Sequence, residues 1–176
     1  MYEEEIKVPK ERIAILIGKK GELKRELEKI TKTKIYIDSN NNLVTLKAED
    51  SLNLFNALPM IKAIARGFNP DIAELLNEED YTLEVIDIKN FSGDSKKKLI
   101  RLKSRCIGTS GKARENIEQS TNTHISIYGK TVSIIGRIEN VAIARFALES
   151  ILSGSPHGKV YKRIQERKSK SIDLSN

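Results

Sequence analysis

Ile17-Gly18-Lys19-Lys20-Gly21 and Ile107-Gly108-Thr109-Ser110-Gly111 are the two stretches that decide the fold of this sequence. Each contains a Gly-x-x-Gly tetrapeptide, and an amphipathic helical pattern begins immediately after it. Because glycine has no Cβ, a pair at this spacing lets the backbone turn sharply and approach a ligand closely. The N–H groups that open the following helix have no partner within that helix and attract anions. The two stretches therefore predict two loops that hold phosphate groups.

The loops belong to a longer internal repeat. Eight of the 22 positions from Ile17 to Asp38 are identical to the positions 90 residues further on. The offset then falls to 88, where Val44-Thr45-Leu46 faces Val132-Ser133-Ile134. A gapless match followed by a length change in a polar turn is typical of two copies of one fold. We therefore expect a first domain at 1–76, which includes a linking helix, and a second at 77–155. A C-terminal basic helix and a tail, disordered from Ser169, complete the chain at 156–176.

The hydrophobic patterns predict the same elements in both copies: strand, helix, loop, helix, strand, variable turn, strand and long helix. The long helix of the first copy is predicted over 51–68, with Pro59 inside it as a kink or a break. In the second copy Ser95 is the expected N-cap of a basic helix that ends at Ile107. The predicted class is α+β. Each half forms a three-stranded antiparallel sheet with helices on one face, and the two small cores are expected to pack together.

This order of elements around Ile-Gly-x-x-Gly resembles a type I KH domain, present twice. The stretches Arg101 to Lys112, Asn140 to Arg145 and Ser155 to Tyr161 resemble the archaeal-type partner-of-Nob (Dim-type) family of KH-domain ribosomal RNA-processing proteins. The resemblance covers nearly the whole chain and is strongest over 101–163. It implies binding of single-stranded small-subunit ribosomal RNA near its 3′ end, in pre-rRNA processing and small-subunit assembly. It also implies a pre-rRNA endonuclease and a translation or ribosome assembly factor as partners.

In a KH-like site the loop glycines and the next helix hold phosphates, and apolar residues beside the loop receive bases. Lys112 and Arg114 open a helix, where cations are unfavourable unless an anion binds. Ile107 and Ile125 are candidates for the apolar platform, with core packing as the alternative, and Arg137 is a candidate contact to base edges. The predicted RNA-binding residues are Arg101, Arg105, Ile107, Gly108, Thr109, Ser110, Gly111, Lys112, Arg114, Ile125 and Arg137 in the second copy and Gly18, Lys19, Lys20 and Gly21 in the first.

The charge of the chain is divided unequally between the copies. The net charge is +7, yet residues 1–95 carry 14 Lys and Arg against 18 Asp and Glu. Residues 96–176 carry 17 Lys and Arg against 6 Asp and Glu. The second copy should therefore supply most of the attraction to nucleic acid. In the first copy Glu22 follows the loop and repels phosphate, so that loop either binds RNA more weakly or contacts a protein.

Several other functions find little support in the sequence. Gly108-Thr109-Ser110-Gly111-Lys112 is similar to the end of a P-loop, but Cys106 and Ala113 stand where that motif needs Gly and Ser or Thr. His124 and His157 are far apart and do not form a metal-ligand pattern. Cys106 has no His at a useful spacing and is expected to be a buried thiol. We expect neither an enzyme nor a cofactor.

The location of the protein follows from composition. A single cysteine excludes an intramolecular disulfide, and Met1 is followed by an acidic stretch that is unlike a secretory signal. No apolar run reaches the length of a membrane span. We therefore expect a cytoplasmic protein that does not contact membranes.

Two alternatives to RNA binding remain from the residues alone. A protein-interaction adaptor would use the acidic first half to dock a partner, whereas a regulator that binds single-stranded DNA would use the same loops. Salt separates the first from RNA binding, because phosphate contacts weaken steeply with ionic strength and apolar interfaces do not. Only the family resemblance favours RNA over DNA.

Overall fold

The computed structural model describes residues 1–175. The chain divides into two compact units, Met1–Glu79 and the residues from Asp80 onward. Each unit is built from one copy of the sequence repeat, as predicted. The predicted domain limits of 1–76, 77–155 and 156–176 stay a prediction.

The first unit follows the predicted order closely. Its elements are β1 (Tyr2–Lys7), α1 (Lys10–Ile17), α2 (Glu22–Thr31), β2 (Lys34–Asp38), β3 (Leu43–Ala48), α3 (Ser51–Ala65) and the short α4 (Pro70–Ala73). A 3-10 turn at Lys19–Gly21 joins α1 to α2, and a second one, Glu74–Asn77, follows α4.

The second unit repeats this order and adds two helices. Its elements are β4 (Tyr81–Asp87), α5 (Lys89–Ser92), α6 (Lys96–Ile107), α7 (Lys112–Thr121), β5 (His124–Tyr128), β6 (Thr131–Arg137), α8 (Ile138–Leu152) and α9 (His157–Asp173). The Ser95 hydroxyl caps α6 as predicted, accepting a hydrogen bond from the Lys98 N–H at 3.2 Å. None of the helices within residues 1–175 is both long and apolar enough to cross a membrane.

The two sheets have the same topology. Their strand orders are β1-β3-β2 and β4-β6-β5, and all neighbours are antiparallel. In the second unit the core lies between the sheet and the helices, with Cys106, Ile117, Ile134 and Leu148 fully buried. The predicted fold class of two KH-type α+β units is thereby confirmed.

The helix after each loop is tied to the edge strand by the same contact. Glu28 Oε1 accepts the Ile35 backbone N–H at 2.8 Å, and Glu118 Oε1 accepts the Ile125 N–H at 2.8 Å. Both glutamates and both isoleucines are identical positions of the repeat. Paired threonines one turn later repeat as well, with Thr121 Oγ1 donating to the Ile117 carbonyl at 2.6 Å. These identities therefore serve the fold, because they satisfy polar groups at the sheet edge.

An arginine on the helix before each loop holds the end of the long helix. Arg12 donates to the carbonyls of Ile64 and Phe68, both at 2.7 Å. Arg105 donates to the Ile151 carbonyl at 2.5 Å and to the Ser155 carbonyl at 2.6 Å. The last carbonyls of a helix lack partners within it, and a guanidinium can satisfy two of them.

Three details differ from the prediction. The helix α3 is continuous through Pro59 and ends at Ala65, three residues early. The stretch before Gly93 forms the short helix α5, which the predicted order of elements did not include. The disorder predicted from Ser169 is wrong as far as Asp173, because α9 continues that far and packs on α8, with the Arg167 guanidinium 3.6 Å from the centre of the Phe146 ring. The last residue, Asn176, lies outside the described residues.

The role of Arg105 can be tested by Arg105→Gln. We expect the free energy of unfolding of the second unit to fall by about 1.5–3 kcal/mol, because hydrogen bonds from a charged donor to the end of α8 are lost. Urea unfolding followed through the NMR amide signals of the second unit measures this value. The control Arg101→Gln removes an exposed charge of the same helix and should change it by less than about 0.5 kcal/mol. Equal small effects of the two changes would contradict a structural role for Arg105.

Cys106 is fully buried, and loss of solvent raises the pKa of its thiol to about 12. At about pH 8 the thiolate is therefore rarer than in an unfolded chain by about a thousandfold. We expect an aromatic disulfide reagent to modify Cys106 at least about a thousandfold more slowly in the native chain than in the chain unfolded by concentrated guanidinium chloride. Comparable rates in the two states would show that the thiol is accessible.

Candidate nucleic-acid interface

The first glycine of each loop is required by a close backbone contact. Gly18 and Gly108 have φ values of 71° and 73°. A Cβ at Gly108 would lie 2.6 Å from the Ala113 Cβ, and one at Gly18 would lie 2.7 Å from the Leu23 Cβ. No side chain fits at such distances, so the loop folds directly against the helix that follows it.

The remainder of the loop exposes its middle residues. Lys20 and Ser110 have φ values of 52° and 53°, and the glycines after them are left-handed N-caps. Within residues 1–175 no side chain caps α2 or α7. The first N–H of each helix, that of Glu22 or Lys112, donates instead to the Lys19 or Thr109 carbonyl within the loop. Lys19 and Thr109 are also exposed. Both loops therefore expose the residues between their glycines at the start of a helix, and binding of a phosphate there stays a prediction.

A groove of about 700 Å³ lies beside the second loop. Its walls come from three helices: the end of α6, the start of α7 and the start of α9. Five of the residues predicted to bind RNA line this groove: Arg101, Arg105, Gly108, Thr109 and Lys112. Arg101 and Lys112 are exposed, so the groove presents two cations next to the helix N-terminus. This combination of a helix N-terminus and two cations suits an anionic backbone.

Sequence reasoning missed the contribution of α9 to this groove. His157 and Tyr161 line it, with their ring centres 6.2 Å apart. His157 Nε2 lies 2.7 Å from the Arg105 carbonyl oxygen, which fixes the ring beside the loop. Burial raises the pKa of the Tyr161 phenol, so its hydroxyl remains a hydrogen-bond donor at neutral pH. The spacing of four residues on a helix that starts after Pro156 was the available signal.

Arg105 is not a free RNA ligand, contrary to the prediction. Its guanidinium is already bound to two carbonyls at the end of α8 and beyond it. The half-buried Arg105 side chain nevertheless lines the groove. The prediction failed because the partner carbonyls are 46 and 50 residues away in the sequence.

Ile125 was also assigned wrongly. It is 4% exposed and belongs to the core of the second unit, so its side chain cannot receive a base. Ile35 in the first unit is buried in the same way, at 2%. Ile107, by contrast, is 37% exposed at the end of α6, directly before the loop. Of the two platform candidates in the second unit, only Ile107 is accessible.

Arg114 and Arg137 lie in different places. An added Cβ at Gly111 would lie 3.9 Å from an Arg114 nitrogen, which places that guanidinium next to the loop. The same guanidinium forms a weak ion pair, at 3.4 Å, with the carboxylate of Glu118 one helical turn away. Arg137 stands at the end of β6, 3.5 Å from Asp80, and a hydrogen bond with Tyr81 raises its pKa.

Arg137 is separated from the second loop by the length of α7. Its neighbour Gly136 packs against Thr123, which follows the C-terminal end of that helix. A helix of 10 residues is about 15 Å long. The structure therefore does not place Arg137 beside the second loop, although both were predicted from the sequence to belong to one RNA-binding site.

The first loop presents a different set of charges. Lys19 and Lys20 are exposed, and Arg25 lies near Gly21, with Nη1 3.7 Å from the position of an added Cβ. Glu22 stands at the start of α2, where its charge suits the helix dipole. Within residues 1–175 no group of three or more His, Cys, Asp or Glu could hold a metal ion.

Comparison with family models assigns both units. Residues 82–169 match the PNO1 second-domain model, described as a eukaryotic-type KH domain (KH-domain type I). Residues 3–63 match the general KH domain.

Relatives extend the match along the whole chain. A KH domain-containing protein of Methanocaldococcus jannaschii is 42% identical over 168 residues, which are 94% of this chain and 74% of the relative. The pre-rRNA-processing protein PNO1 of Debaryomyces hansenii is 34% identical over 148 residues. This match covers 81% of the present chain but only 55% of the yeast protein, so the chain spans about half its length.

One similar solved structure is a complex. Dim2p of Pyrococcus horikoshii, crystallised with a/eIF2α and rRNA, is 43% identical with a TM-score of 0.88. The match covers 96% of this chain and 95% of that one. Together with the family models of both units, this confirms the predicted resemblance, and the chain belongs to the PNO1/Dim2 family of KH-domain proteins.

Proposed function

We propose that this protein binds single-stranded small-subunit ribosomal RNA near its 3′ end and acts without catalysis in pre-rRNA processing and assembly of the small subunit. The observation that carries the proposal is the groove of the second unit, where the glycine loop, Arg101 and Lys112 meet. The Pyrococcus relative was crystallised with rRNA, which supports RNA over DNA as the ligand. The name of the yeast relative supports a place in pre-rRNA processing.

In this proposal the phosphates lie on the loop and the bases lie along the groove. The exposed loop residues Thr109 and Ser110 and the positive end of the α7 dipole hold a phosphate, assisted by Lys112. Arg101 binds the next stretch of backbone, and Ile107 packs against a base. His157 and Tyr161 face the same groove from α9 and offer hydrogen bonds to base edges or to the ribose.

We also propose protein partners. The relative's complex contains a/eIF2α, which supports a translation factor as one partner of this chain. A pre-rRNA endonuclease is the second partner, on the strength of the family resemblance. We also propose a cytoplasmic location, because a single cysteine suits a reducing compartment.

The loop assignment is tested by comparing Thr109→Asp/Ser110→Asp with Lys19→Asp/Lys20→Asp. An RNA oligonucleotide from the 3′ end of the small-subunit RNA is labelled, and its affinity is measured by fluorescence anisotropy. We expect the second-loop variant to bind at least tenfold more weakly, because two carboxylates repel a phosphate on the loop. Asp tolerates the left-handed backbone at Ser110, so circular dichroism should show an intact fold.

The first-loop variant is a demanding control. It changes the net charge by twice as much as the second-loop variant, so attraction by net charge alone would make it the weaker binder. We expect its affinity to stay within threefold of the native value. Loss of binding in this variant alone would move the RNA to the first unit, and unchanged affinity in both would refute binding through the loops. A DNA oligonucleotide of the same sequence should compete poorly if the ribose 2′-OH is read.

The part played by α9 is tested by Tyr161→Phe, which removes one hydroxyl and keeps the ring. We expect RNA affinity to fall about fivefold, the effect of one lost hydrogen bond. Tyr128→Phe in β5 lies outside the groove and should leave the affinity unchanged. If both variants bind as the native chain does, the Tyr161 hydroxyl does not contact the RNA.

A further inference from the structure

A second groove, of about 660 Å³, lies in the first unit. It runs along α2 and reaches β2 and the end of β3, and none of the residues of the first loop lines it. Five cationic residues line it: Arg25, Lys29, Lys32, Lys34 and Lys47. We call this surface the α2 groove. Its position distinguishes it from the groove beside the second loop.

The α2 groove is basic although its half of the chain is acidic. Against its five cations stand only the carboxylates of Glu28 and Glu49. Glu28 is already occupied, because one of its oxygens accepts the Ile35 N–H and lies 3.3 Å from the Lys24 ammonium. The groove therefore has a surplus of positive charge, whereas residues 1–95 as a whole have a net negative charge. This difference requires an explanation of its own.

The strand register places like charges side by side. Lys34 and Lys47 are directly opposite in the antiparallel pair of β2 and β3, an arrangement that destabilises a sheet. Glu3, opposite Lys47 on β1, offsets one of these charges at 2.9 Å. Lys34 has no such carboxylate opposite it, since β2 is an edge strand. A bound anion between the two lysines would offset the remaining repulsion.

Comparison of the two repeats shows that the fold does not need these cations. Glu28, Thr31, Thr33 and Ile35 recur in the second unit, where they form the same hydrogen bonds. The five cations recur at none of their counterparts, which are Glu115, Gln119, Asn122, His124 and Ile135. The residues that form these hydrogen bonds are the same in both units, whereas the five cations are present only in the first. The cations therefore serve a property that only the first unit has.

An exposed aromatic ring completes the α2 groove. Tyr36 lines it, is 55% exposed, and has the Lys47 ammonium 5.6 Å from its ring centre. Its counterpart in the second unit is Ser126. Cations along a groove together with an exposed ring are the means by which proteins hold single-stranded nucleic acid.

We propose that the α2 groove binds a second segment of single-stranded RNA, distinct from the segment on the second loop. Arg25, Lys29 and Lys32 lie along one side of α2 over about 10 Å and contact successive phosphates. Lys34 and Lys47 hold the backbone at the sheet edge, and a base stacks on Tyr36.

The test uses the full chain carrying Thr109→Asp/Ser110→Asp, so that the second loop contributes little. The probe is a fluorescein-labelled oligouridylate of about 20 nucleotides, measured by anisotropy at about 50 mM salt. We expect Lys29→Glu/Lys32→Glu to weaken the residual binding at least tenfold and to reduce the slope of log affinity against log salt by about 1.4. Tyr36→Ala should weaken it at least fivefold, the lower range for one stacked base.

The matched control is Lys10→Glu/Lys62→Glu, which reverses two exposed lysines of the same unit outside the α2 groove. Its affinity should stay within threefold of the background. Equal weakening by both pairs would overturn the proposal, because net charge alone would then account for binding. Unchanged affinity in every variant, or no residual binding in the background, would also overturn it and leave the cations for an acidic protein surface. An oligonucleotide containing 4-thiouridine should crosslink to the peptide that carries Tyr36, and crosslinks confined to the second unit would refute the site.

Discussion

The close approach between the first loop glycine and the next helix is the constraint on which both units depend. At Gly108 the backbone lies so near Ala113 that any side chain would overlap it, and Gly18 stands in the same relation to Leu23. This contact makes the chain reverse within one loop, so the end of one helix and the start of the next lie side by side. The positive end of one helix dipole and the cations of both helices are brought together as a consequence. Without the reversal, Arg101 and Lys112 would not share a groove.

The two copies show which residues serve the fold and which serve recognition. Positions that repeat, such as Glu28 and Glu118, satisfy buried or half-buried backbone groups at the sheet edge. Positions that differ carry the charge: the second unit collects it on α6 and beside its loop, and the first unit collects it on the outer side of α2. One scaffold thus presents two chemically different surfaces. This division agrees with the general finding that a fold does not determine a function, which depends on the side chains placed upon it.

Local patterns allowed much of the fold to be predicted, whereas long-range contacts did not. The order of α2, β2 and β3 agrees with the prediction because these elements follow from periodicity and from nearby turn residues. The two failures at the site, Arg105 and Ile125, have another cause. Arg105 meets carbonyls nearly 50 residues away. Alternation shows that Ile125 points to one face of a strand, but it does not show that helices cover this face. Long-range contacts also explain why α9 was predicted as a basic helix outside the second domain, although it packs on α7 and α8.

The position of α9 bears on the order in which the protein matures during synthesis. The other walls of the second groove are encoded by residues 101–113, but His157 and Tyr161 come after the whole of the sheet and α8. Domains fold from the N-terminus as the chain leaves the ribosome. The first unit can therefore complete its core while the second is still being made, and the second groove lacks one wall until the last helix has emerged and docked. A nascent chain would thus present the α2 groove to its surroundings before the loop groove is complete.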